Sequence, residues 1–127
     1  IKALTEAVRS ENPAEAAQAA IRVAQSGLDL QLRYRPPVEI DLARFELWTR
    51  QLALDVQGED MAAVTGDVAA MEWTRDRFAQ SLASADRAQL DALLGELRIA
   101  ADDEDVQSAA EAGVRLGAFL AGLALEV

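Results

Sequence analysis

Apolar residues recur along this chain at intervals of three and four, and no stretch alternates apolar and polar residues long enough to argue for a strand. Placed at about 100° per residue, the segment after Pro13 carries one polar ridge, Glu15, Gln18, Arg22, Gln25, Asp29 and Arg33. Its other sides are apolar, with Ile21, Leu28 and Leu32 beside Val23, Leu30 and Tyr34. The next segment has two apolar stripes: a broad one of Leu42, Phe45, Trp48, Leu52 and Val56, and a narrow one, roughly opposite, of Leu47 and Leu54. A third segment runs Val64, Val68, Met71, Phe78 and Leu82, with Arg75 standing in the same stripe. In the fourth, Leu90, Leu93, Leu94 and Leu97 oppose Asp86, Asp91 and Glu96. The fifth spaces small residues regularly, at Ala109, Gly113, Gly117 and Ala121.

Caps and breakers set the expected boundaries. Asn12 is a capping residue, and Pro13 suits the first helical position, where its missing N–H loses nothing. The first helix is expected to run to about Tyr34, where Pro36 and Pro37 stop it. Asp41 is expected to cap the second, which ends at about Gln57 before Gly58. The third starts at Glu59 or Asp60 and runs to about Ala83. The fourth is capped by Ser84 or Asp86, with Gln89 in capping-box spacing from Asp86, and the acidic run Asp102–Asp105 opens the fifth at the favourable end of the helix dipole. Residues 2–10 are expected to add a short extra turn or helix. No internal repeat, linker or second domain is evident, so residues 1–127 read as one all-α domain: an antiparallel up-and-down bundle of four to five helices. The small residues of the fifth helix predict a shallow groove that receives a bulky neighbour such as Trp48 or Phe45, or leaves room for a ligand.

Composition narrows the function classes. The apolar half is rich in alanine and leucine, with only 5% aromatic residues, a balance that favours helix. Twelve basic against 22 acidic residues give a net charge of -10, which repels nucleic acid and anionic lipid. With no cysteine and no histidine, disulfides, thiolate metal sites, the CxxCH attachment of four-helix cytochromes and the ExxH pairs of di-iron bundles are all excluded. No cofactor is expected. No apolar run reaches the ~20 residues needed to span a bilayer. A start at Ile1 and the missing cysteines set the expectation of an exported bacterial protein.

Candidate chemistry centres on Arg75, whose charge persists in any protein environment and demands acceptors. If the second and third helices pack antiparallel, Glu46, Thr49, Arg50, Glu72 and Arg75 meet at the rim of the bundle. That cluster is expected either to close as a salt-bridge network fixing helix register or to open as a pocket for the carboxylate or phosphate of a small ligand. An oxygen-only cation site built from Glu46, Asp67 or Glu72 is a further option. The second apolar sides point either to a covering helix or to a homodimer contact through Leu47, Leu54 and Trp73. The stretch LQLRYRPPVEI, residues 30–40, reads as a helix end and corner, with Arg35 and the Tyr34 hydroxyl as the features that suit a docked partner. The functional expectation is a non-enzymatic bundle acting through protein binding or self-association. The runner-up is a sensor with a polar pocket around Arg75 and Glu72.

Overall fold

The computed structural model describes residues 13–31 and 37–123. The expected extra turn at residues 2–10, and Leu32 to Pro36 at the corner, lie outside the described residues. The described residues form five α-helices and no strand: α1 (Pro13–Gln31), α2 (Pro37–Gln57), α3 (Met61–Phe78), α4 (Ser84–Asp102) and α5 (Val106–Ala121).

Helices α2, α3, α4 and α5 close a ring in which each packs against the next and α5 returns to α2, while α1 lies on the outside of α2. Phe45, Leu52, Val64, Val68, Met71, Phe78, Leu90, Leu97 and Leu116 fill the ring, and the Phe45 and Phe78 rings meet edge to face at 5.6 Å. A smaller cluster of Leu28, Ile40 and Leu47, with Ile21 and Ala43 beside it, joins α1 to α2. The narrow apolar stripe of the second helix is therefore covered at Leu47 by another helix of the same chain.

Every junction between successive helices also carries an arginine–carboxylate bridge. Arg44 of α2 reaches Asp29 of α1, and Arg77 of α3 donates to Asp41 of α2 at 3.0 Å. Arg75 of α3 pairs with Asp91 of α4, Arg98 of α4 with Glu72 of α3, and Arg115 of α5 with Glu96 of α4 at 2.7 Å. Asp41 early in α2 meets Arg77 late in α3, and between α3 and α4 the order is reversed, Glu72 meeting Arg98 while the later Arg75 meets the earlier Asp91, so these helices run antiparallel.

Several boundaries differ from the sequence expectation. Helix α2 begins at Pro37, not after Asp41, because proline lacks only an N–H that the first turn does not use and its fixed φ already suits a helix. Asp41 is instead buried inside α2 as the acceptor for Arg77. Helix α3 stops at Phe78, five residues early, and passes through a 3-10 turn at Ala79–Ser81 to an extended Leu82. No glycine or proline marks this reversal. It lets the buried Phe78 and Leu82 both enter the core as the chain turns toward α4, which starts at Ser84 without a side-chain cap. The other two starts are capped by side chains: Asp60 accepts from the Ala63 amide and Asp105 from the Ser108 amide.

The structure also contains a repeat that the sequence conceals. In the α2–α3 loop the amides of Gly58, Glu59 and Asp60 donate to the carbonyls of Leu54, Val56 and Asp55. In the α4–α5 loop, 45 residues later, Asp103, Glu104 and Asp105 donate to Ile99, Ala101 and Ala100 in the same order. Glu59 and Glu104 both take the left-handed conformation, with φ of 55° and 54°. Buried positions match across the two hairpins: Phe45 with Leu90, Leu52 with Leu97, Val64 with Ala109, Met71 with Leu116. The bundle is two copies of one helical hairpin.

Candidate functional site

The residues expected to converge around Arg75 do not form one group. Arg75 donates from Nε and Nη2 to the two carboxylate oxygens of Asp91, both at 2.7 Å, and from Nη1 to Asp76 at 3.0 Å. Its fork is thus occupied by acceptors on the surface between α3 and α4. Glu72, the acceptor expected for it, is held by Arg98. The Thr49 hydroxyl bonds to the Glu46 carbonyl of its own helix, and Arg50 is exposed. Arg75 stands aside because residues 74 and 75 straddle the stripe continued from Met71. Thr74 takes the buried place, its hydroxyl bonded to the Ala70 carbonyl at 2.8 Å.

The expected dimer contact is split as well. Leu47 is buried beneath α1, and Leu54 lines a cavity at the start of α1. Trp73 is 65% exposed on α3, where the Arg77 guanidinium sits 5.1 Å over its ring. Leu47 and Leu54 thus both face α1, and Trp73 stands apart from them on α3.

Two other features stand out at the end of the bundle where α2 passes into α3. The first is a buried pair of carboxyl groups, Asp55 and Asp67. Gln51 Nε2 donates to both oxygens of Asp55 at 3.2 Å. Burial, the hydrogen bond to Asp55 and repulsion from Asp55 and Asp60 push the Asp67 pKa up to about 9. Its Oδ2 has no hydrogen-bond partner among the described residues. In the second hairpin the matching positions are Ala100 and Ala112, also buried, so the hairpin geometry itself does not require acids here. A cavity of about 630 Å³ adjoins Asp55 and Asp60 and is walled across by Pro13, Ala14 and Gln18 of α1. The cation option of Glu46, Asp67 and Glu72 is not assembled, since Glu72 belongs to Arg98. No cluster of three or more acidic ligands suited to a metal ion occurs among the described residues. The sequence did hold a signal for Asp67: it lies three residues after Val64 and four before Met71, inside the core stripe.

The second feature is an apolar groove of about 330 Å³ between α2 and α5. Leu52 and Val56 form one wall, Ala109, Ala110, Gly113 and Val114 the other, and Thr49 lies at one end. Of the small residues of α5, Gly113 does receive a bulky neighbour, Leu52. A Cβ at Gly113 would lie 3.2 Å from Leu52 Cδ2, whereas the space beside Gly117 is open. The core face of α5 is Ala109, Ala112, Leu116 and Leu120, which turns the Gly113 side toward the edge. That rotation leaves Val114 73% exposed. No described helix is long and apolar enough to cross a membrane. Comparison with protein-family models, curated proteins and solved structures finds no significant match to this chain.

Proposed function

We propose that this protein is a binding module that docks an apolar helical segment of a partner in the groove between α2 and α5. The groove carries this reading: its walls are aliphatic, it lies between two helices of a tightly packed ring, and Val114 at its lip is 73% exposed. A concave apolar strip between helices suits the apolar side chains of a third helix, spaced three and four residues apart. The bundle acts through recognition in this reading, not through catalysis. The Arg75 region contributes stability, because its donors are spent on Asp91 and Asp76.

A neutral, leucine-rich helical peptide titrated into ¹⁵N-labelled protein tests this. The reading expects amide shifts at Ala53, Ala110, Gly113 and Val114, with the exposed side of α4 around Ala92 and Gly95 unchanged. Shifts centred on Trp73, or none at all, count against it. Docking of a second copy in the same groove would appear as concentration-dependent shifts at these positions without peptide.

A further inference from the structure

We infer, on the basis of that docking reading, that the partner segment is a basic amphipathic helix whose cationic face meets the acidic loop end of the groove. The two groove walls come from the two longest arginine-free stretches within the described helices. Residues 51–74 contain no lysine or arginine, and their exposed carboxylates at the loop are Glu59 and Asp60. Residues 99–114 contain Asp102, Asp103, Glu104, Asp105 and Glu111 and again no base.

The fold brings the ends of these stretches together. Helix α2 leaves the groove at Val56 and Gln57 and enters the loop holding Glu59 and Asp60. Helix α5 enters the groove at Ala109 and Ala110 just after the loop holding Asp103 and Glu104. Both loops place a glutamate in the left-handed conformation and are exposed. The matched hairpins therefore present two acidic loops side by side at one mouth of the groove. Glu111 adds a carboxylate beside Val114 on the outer lip. Arg115, the next base on α5, is bridged to Glu96. Arg50, exposed one turn before Ala53, stands toward the opposite, Thr49 end, so the groove is negative at one mouth and less so at the other.

An apolar floor with an acidic mouth is complementary to a helix with leucines on one face and lysine or arginine on the other. Charge of this sign speeds encounter and selects among apolar helices, while the groove itself holds the bound state. An anionic membrane surface, which also presents apolar material, is repelled by the same carboxylates.

The test uses the full chain and two fluorescent 18-residue peptides with identical leucine faces, one with lysine and one with glutamate on the polar face. Anisotropy titrations at low and moderate salt are expected to show the lysine peptide binding at least tenfold tighter, with the difference shrinking as salt rises. Replacing Glu59, Glu104 and Glu111 together by glutamine is expected to weaken the lysine peptide at least threefold and leave the glutamate peptide within twofold. Val114→Asn and Ala110→Trp are each expected to weaken the lysine peptide at least tenfold. Val114 is so exposed that its substitution tests the groove even if Ala110→Trp fails to fold. Equal binding of both peptides overturns the basic partner and leaves the docking groove standing. Binding of neither overturns both readings. Lysine-peptide binding that survives Val114→Asn with its salt dependence intact places the acidic contact elsewhere and overturns the proposal.

Discussion

A single carboxyl group makes the stability of this bundle depend on pH in an unusual direction. In the unfolded chain Asp67 ionises near its ordinary value of 3.8, whereas in the folded protein its pKa is raised to about 9. Between those values the folded state holds a proton that the unfolded state has released, so stability falls as pH rises across that window and levels off above it. Asp67→Asn keeps a donor for Asp55 and has nothing to ionise. Melting curves at pH 5, 7 and 9 are expected to show the wild-type melting temperature dropping relative to the variant, the gap widening with pH. Parallel curves would mean that Asp67 ionises normally. Residue by residue, the sequence located the leucines and phenylalanines of the core well. It was less informative about charged side chains, because an arginine or aspartate at the edge of a stripe has a long or short reach that periodicity does not encode. Arg75 and Asp67 lie at equivalent kinds of position, yet Arg75 reaches the surface to meet Asp91 while Asp67 stays 5% exposed.

Helix α5 shows how packing bears on a glycine inside a helix. Two of its sixteen residues are glycines, each worth up to ~1 kcal/mol relative to alanine in a helix interior. Gly117 faces open space, so Gly117→Ala is expected to stabilise the protein by about 0.5–1 kcal/mol. Gly113→Ala is expected to gain distinctly less, since the new Cβ would press on Leu52 Cδ2 at 3.2 Å and that side chain must shift. Chemical denaturation of both variants checks the contrast; equal gains would show that Leu52 yields freely. The start of α3 at Asp60 was readable, because capping is local chemistry, but of the acidic run expected to open α5 only Asp105 caps it: Asp102 ends α4 and Asp103 and Glu104 form the loop. The end of α3 at Phe78 was not readable, since no residue from Ala79 to Ala83 forbids helix and only the docking of α4 demands the reversal.

At the scale of the whole molecule, the described residues form a closed ring of four helices with α1 laid on its outside, and the two parts are expected to respond differently to truncation. Phe45→Ala removes a ring from the main core, where it packs on Phe78, and is expected to destabilise by about 3–5 kcal/mol. Leu28→Ala, in the small cluster under α1, is expected to cost about 2–3 kcal/mol, because among the described residues α1 packs chiefly on α2 and the site relaxes more easily. Urea unfolding followed by far-UV circular dichroism measures both; a larger loss for Leu28→Ala would show that α1 is integral to the ring. The sequence by itself determined the helical class, the antiparallel order and most of the core, since those follow from apolar spacing, caps and short connections that act locally. Only the tertiary structure decided which carboxylate each arginine meets, and that α1 covers Leu47. It alone showed that two dissimilar stretches fold as the same hairpin and that their acidic loops flank an open groove. These outcomes depend on distances between residues far apart in the chain, which a pattern of neighbours along one helix does not contain.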